Sequence, residues 1–213
     1  IELLNDNYFG TYKELCHEDG LELWAEPYHT MFADALDVAS NLDVVMSEFW
    51  VGIGNPDLNF ALNEQTQSSA QTYGIQLASA EAFTSGGAID RWKMAPKELK
   101  SFGDLMYASG INHFMFHRYV HQPWLDRVPG MTMLRTGMHF ERTNTWWDQA
   151  MAWLNYLARC QDILQRGKGT GDVIFIQPEF MPMSHTYVEH MFTVANQSLD
   201  PGYGRIFMTQ QGL

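Results

Sequence analysis

The sequence predicts an α/β fold: a partial (β/α)8 barrel, then a long helix and the start of a second α/β unit. Three observations carry this. Apolar segments suited to strands alternate with helical stretches. Three of those segments end in a glutamate, at Glu26, Glu48 and Glu81, and parallel barrels build their active sites at the carboxyl ends of strands. The spacing is 22 residues from Glu26 to Glu48, 33 from Glu48 to Glu81 and 36 from Glu81 to His117. Those intervals are about the size of βα repeats.

Strands are expected near residues 21–27, 43–49, 74–82 and 111–119, with helices over Thr30 to Asn41, Leu58 to Thr72 and Pro96 to Ser109. The third helix is well punctuated. Pro96 suits its first turn, Gly110 follows its end, and Leu99, Phe102, Leu105 and Met106 repeat at helical spacing. From Thr143 to Arg166 one long helix is expected, apolar along Trp146, Trp147, Trp153, Leu157 and Ile163. Thr143 or Asn144 would cap it, and Gly167 would close it. Asp172 to Ile176 then reads as another strand. The chain therefore divides into a partial barrel (1–142), a connecting helix (143–167) and the beginning of a following α/β domain or a disordered tail (168–213). The Met- and Pro-rich stretch after Pro178 fits no element.

With 213 residues, 46% hydrophobic and 14% aromatic, the chain can bury a core. A complete eight-stranded barrel takes about 250 residues. That shortfall, and a first residue that is Ile1 rather than Met, make the chain read as a fragment of a longer protein. Net charge is −12, from 25 acidic and 13 basic residues, which argues against nucleic acid and anionic membranes as partners. Cys16 and Cys160 are too few and too far apart for a disulfide framework or a metal knuckle. No run of 18 apolar residues spans a membrane, and no signal peptide is visible.

Glu48 ends an apolar strand and precedes Phe49 and Trp50, a possible sugar-stacking wall, so it is a catalytic candidate. Its bland alternative is a strand-end ion pair. Glu81 sits among Ala78, Ser79, Ala80 and Ala82, whose small side chains admit a substrate, and Thr84-Ser85-Gly86-Gly87 after it reads as a flexible loop. A capping or structural carboxylate is the alternative there. Glu26 suits binding or positioning, because Pro27 already explains the strand stop. In 112–121 a two-residue alternation puts His113, Met115, His117, Tyr119 and His121 on one face of a strand. The outer histidines would then lie about 26 Å apart at roughly 3.3 Å per residue, too far to share an ion, which disfavours a zinc site. His117 and His121 are candidates for contacts to sugar hydroxyls, and His113 for a satisfied core histidine. Trp124 is a candidate stacking platform, or simply a packed loop tryptophan. The Trp146–Trp147 pair and Cys160 read as core.

These residues resemble a known family. The run Glu81-Ala82-Phe83-Thr84, then Trp92, Pro96, Leu99-Lys100, Asp104, Gly110-Ile111-Asn112-His113, His117, His121-Gln122-Pro123 and Pro129-Gly130 is similar to glycoside hydrolase family 106, the α-L-rhamnosidases. Gly137, Phe140, Thr145-Trp146-Trp147 and Tyr156-Leu157-Ala158-Arg159-Cys160-Gln161 extend the likeness, which covers roughly Gly20 to Ile176. No single piece is specific; the combination is.

The resemblance implies the C-terminal part of a (β/α)8 catalytic barrel in a larger, secreted or periplasmic enzyme. It further implies inverting, calcium-dependent hydrolysis of terminal rhamnose in oligo- or polysaccharides. Glu48 and Glu81 would be strand-end carboxylates of the active centre, with Glu26 nearby and one essential acid upstream of this segment. In the inverting scheme an acid protonates the glycosidic oxygen while a carboxylate activates water on the opposite face. Glu81 is expected as the base and Glu48 as its partner or the residue orienting the water, or with the two roles exchanged. The calcium ligands are left open. A catalytically incomplete carbohydrate-binding fragment is the alternative, and a zinc hydrolase using His113, His117 and His121 a distant third.

Overall fold

A computed structural model describes residues 2–28, 34–52, 56–86, 93–128, 130–132, 136–176 and 205–208. A helical segment opens the chain: α1 (Glu2–Leu4), a π-helical turn (Asn5–Gly10) and α2 (Thr11–Glu18). Then come β1 (Trp24–Ala25), α3 (Ala35–Ala39), β2 (Val44–Trp50), α4 (Pro56–Tyr73), β3 (Ala78–Thr84), α5 (Pro96–Ala108) and β4 (His113–Phe116). The four strands are parallel and their order in the sheet is β1-β2-β3-β4, the order of the chain. Sequential order without a reversal is what successive βα units produce when each crossover packs on the same face.

That face is apolar. Val45 and Phe49 on β2, Ala78, Ala80 and Ala82 on β3, and Phe114 on β4 join Val38, Ala39, Leu99, Met106 and Leu157 from the helices in one core. Small residues along β3 let Phe49, Phe83 and Phe114 meet above them, with ring centroids 4.9–5.5 Å apart. Phe116, Phe140 and Trp153 extend the cluster. Trp146 and Trp147 pack against it, as the sequence suggests. Cys160 is free and only partly buried.

Several boundaries differ from expectation. The first strand shrinks to Trp24–Ala25, although Leu23 still exchanges hydrogen bonds with Asp43, through its N–H to Asp43 Oδ2 at 2.7 Å and its carbonyl from Asp43 N at 2.9 Å. Of the helix expected over Thr30 to Asn41, residues 30–33 lie outside the described residues. The remainder begins where Asp34 Oδ1 accepts from Leu36 N–H at 3.0 Å, an N-cap bond. The fourth strand ends at Phe116, so the alternation through His121 is not a strand: His117 and Arg118 turn, and His121 lies on irregular chain. The long helix starts late, at Met151. Residues 141–146 are turns, and Trp147–Gln149 is a 3-10 turn leading into α6 (Met151–Arg166). Neither expected cap serves it: Thr143 N–H donates to Glu141 Oε2 at 2.7 Å, and Ala150 takes the N-cap position. Glu141 thus competes locally for the backbone that would have been helical.

Past Gly167, β5 (Val173–Ile176) pairs in parallel with β6 (Arg205–Met208) in a separate two-stranded sheet. β6 lies against α4, so that helix is covered on both sides and even its Asn63, Ser68 and Ser69 are buried. Among the described residues no helix is long and apolar enough to cross a membrane.

Candidate active site

The carboxyl end of the sheet gathers the three glutamates. Glu48 and Glu81 are register partners on adjacent strands, and Glu26 follows the end of β1. One carboxylate oxygen from each lies within 4.8 Å of the others. All three are only partly buried, so the group opens outward from an otherwise packed layer.

Beneath them the same face is filled. Met46, Ser79 and His113 lie side by side in register, and Ser79 Oγ meets His113 Nδ1 at 2.8 Å. His113 also sits edge-on to Trp24, with centroids 5.5 Å apart. Burial holds its pKa below the ordinary histidine value. It is a neutral, satisfied residue in the floor, and among the described residues His113, His117 and His121 form no group close enough to share a metal ion.

A bulge builds the rim. Between the pairs Glu48–Glu81 and Trp50–Thr84, β2 advances two residues and β3 three. Strict alternation would send Phe83 to the carboxylate side. Instead Phe83 takes a φ of 63°, turns into the aromatic core and leaves Thr84 beside Glu81. The Thr84 hydroxyl donates to Glu81 Oε1. Bulges re-aim side chains next to active sites, and a phenylalanine in left-handed backbone is an outlier that surrounding packing must hold in place. Thr84 and Ser85 are therefore buried and fixed rather than part of a flexible loop.

Electrostatics follow from crowding. Burial, the charge of Glu81 and that of Glu48 push the Glu26 pKa up to about 7, and a hydrogen bond from the Tyr28 hydroxyl opposes the rise. That bond is 3.2 Å long, to Glu26 Oε2. Burial and the charges of Glu26 and Glu48 raise the Tyr28 pKa, so the phenol stays protonated and donates. Three carboxylates this close cannot all stay ionised without a proton or a cation among them.

His117 joins the cluster: its Nδ1 is 3.9 Å from Glu81 Oε1 and has no hydrogen-bond partner among the described residues. Gly137 presses on it. Gly137 has φ +86°, and a Cβ there would come 2.8 Å from His117 Nδ1; its N–H donates to Ser85 O at 2.6 Å. Gly137→Ala is expected to cost about 1–2 kcal/mol for the left-handed backbone alone and to displace the imidazole from Glu81. Thermal unfolding and the His117 ring resonances would register both changes; an unmoved ring would refute the packing argument.

Of the other expected residues, Trp50 lies two positions beyond Glu48 on β2, its backbone held by the Asn59 amide in both directions. His121 and Trp124 are exposed on the chain after β4 and make no hydrogen bond, ion pair or ring contact with the carboxylates among the described residues. Tyr28, Thr84 and Gly137 have no site role of their own in the sequence reading. Tyr28 could have been found, since it stands two residues beyond Glu26, as same-side neighbours do in extended chain.

The comparisons with known proteins agree with this geometry. The alpha-L-rhamnosidase family profile matches residues 1–200. A solved rhamnosidase from Novosphingobium sp. PP1Y superposes with a TM-score of 0.88 at 28% identity, over 99% of this chain and 20% of that one. A Formosa agariphila protein with the provisional name beta-glucuronidase is 42% identical over 181 residues, 85% of this chain and 15% of its own length. The chain thus spans a fifth or less of these relatives. It belongs to glycoside hydrolase family 106, the alpha-L-rhamnosidases.

Proposed function

We propose that this segment supplies part of the active centre of an inverting α-L-rhamnosidase, within a (β/α)8 barrel that the rest of a longer chain completes. The carrying observation is the convergence of Glu26, Glu48 and Glu81 at the carboxyl end of a sequentially ordered parallel sheet. Glu81 is the base. Its Oε1 is held by Thr84 on one side and faces His117 on the other, which fixes the carboxylate to receive a proton from water. Glu48, beside it in register, orients that water.

The acid lies outside the trio. An inverting pair stands about 6.5–9.5 Å apart to admit water and substrate, and oxygens within 4.8 Å are too close to flank one glycosidic bond. This favours Glu48 as the orienting group over Glu48 as the acid. It also supports a second reading, in which the segment alone binds sugar without turning it over.

Calcium fits the donor set. Its oxygen ligands sit at about 2.3–2.6 Å, so two oxygens sharing one ion stand no more than roughly 5 Å apart, as these do. Glu26, its pKa pushed up to about 7 by burial and by the charges of Glu81 and Glu48, would be favoured in its ionised form by a bound cation. Glu26 and Glu48 would hold the ion, which supplies charge neutralisation and a grip on sugar hydroxyls. The substrate would be rhamnose-terminated oligo- or polysaccharide, and the enzyme would work outside the cytoplasm, where such polymers are met.

The test is hydrolysis by the complete protein, followed by NMR, of an aryl α-L-rhamnoside and an aryl β-D-glucuronide. Rhamnose released first as the β-anomer, activity lost on chelation and activity restored by calcium are expected. Turnover of the glucuronide alone would overturn the assignment.

A further inference from the structure

We propose that Arg118 determines specificity by holding an oxyanion, a uronate carboxylate or a sulfate ester, on the sugar next to the scissile bond. This rests on the reading that this end of the sheet cleaves a glycoside, and it names a feature of that substrate. Arg118 follows His117 at the carboxyl end of β4. Its N–H donates to Met138 O at 2.9 Å and its carbonyl accepts from Phe140 N at 3.2 Å, so its backbone is fixed. A Cβ at Gly137 would lie 2.8 Å from His117 Nδ1 and 3.4 Å from Arg118 Cγ. The two side chains therefore flank one glycine, and His117 Nδ1 is itself 3.9 Å from Glu81 Oε1. The Arg118 side chain thus leaves the backbone one residue after His117, which faces the carboxylate cluster.

Its donors are not used up. Arg118 Nε is buried without a hydrogen-bond partner, and among the described residues Arg118 makes no ion pair. Arg142 and Arg166, by contrast, donate to Gln122 O and to Asp162. An idle buried N–H on a charged group is costly, and a guanidinium fork matches planar or tetrahedral oxyanions in two-point contact. Its charge is felt nearby: burial first, and then Arg118, hold His139 below its ordinary pKa against the pull of Glu141. Three glutamates would repel an anionic substrate. Arg118, reached past His117, gives the negative group a place away from them.

The test uses the complete protein and its R118Q and R118K variants. The probes are a rhamnosyl-glucuronate disaccharide, its neutral methyl ester and a rhamnosyl-glucose sulfate. Wild type should prefer an anionic substrate, and R118Q should lower the anionic-to-neutral ratio of kcat/KM roughly 10- to 100-fold, as charged hydrogen bonds are worth. The loss should fall mainly in KM, with R118K intermediate. Which anion shows the effect identifies its source. Equal treatment of acid and ester by wild type, or equal loss on both in R118Q, would overturn the proposal. If wild type cleaves no rhamnoside, the catalytic reading fails, yet calorimetric titration with glucuronate, its methyl ester and glucose 6-sulfate still decides Arg118. A preference for the anion that R118Q abolishes supports it, and no preference removes it.

Discussion

Glu81→Gln in the complete enzyme is expected to lower kcat/KM on an aryl rhamnoside by about 10²–10⁴-fold, the range for losing a general base. An aryl leaving group needs little protonation, so the assay isolates water activation from the acid. Glutamine keeps the shape of glutamate and still offers an oxygen to the Thr84 hydroxyl, so the fold and the bulge should persist. What disappears is one charge and one basic lone pair. A second readout follows from the crowding. The charge of Glu81 ranks after burial among the causes that raise Glu26 to about 7. In the calcium-free variant the Glu26 carboxyl should therefore titrate at lower pH, visible by carbon-detected NMR. Turnover within tenfold of wild type would remove Glu81 from the base role. A Glu26 titration that rises or stays put would show that the carboxylates do not interact as their positions demand.

The parallel βα layout and the three strand-end glutamates were legible because both are local signals. An apolar run bounded by a helix punctuated with Pro96 and Gly110 gives strand and helix without reference to the rest of the chain. The glutamates stood out because a carboxylate at the end of an apolar run needs a reason. What escaped was set by tertiary structure. Thr84 lies three residues after Glu81, and alternation assigns the two to opposite faces; only the extra residue at Phe83 brings them together. His121 was placed on a strand that ends at Phe116, because the rhythm of the sequence continues past the last residue in register with β3. The helix expected from Thr143 lost its first turns to Glu141, whose carboxylate takes the Thr143 N–H and hydroxyl. Gly137 stood out only as one position of the family likeness, with no role attached, since its role depends on a histidine 20 residues away in sequence.

Phe49→Ala should be the most damaging substitution among those outside the carboxylate group, costing about 3–5 kcal/mol. Phe49 is 0% exposed and meets the rings of Phe83 and Phe114 at 4.9 and 5.4 Å. The cavity it leaves cannot collapse easily, because Phe83 is pinned by its left-handed backbone and Phe114 is stacked on Tyr107 at 4.5 Å. At roughly 2–4 °C per kcal/mol for a unit of this size, the calorimetric transition containing this segment should fall by about 6–20 °C. Trp124→Ala, at a ring 57% exposed, is the control and should move it by little. Function should suffer below the melting point as well. Phe49 separates Glu48 from Trp50 on β2, and its partner Phe83 sets the bulge that presents Thr84 to Glu81. Loosening that ring stack lets the carboxylates drift, so kcat should drop in protein that is still folded. A variant with a lowered transition but full kcat at 20 °C would show that the aromatic layer supports the sheet without positioning the glutamates.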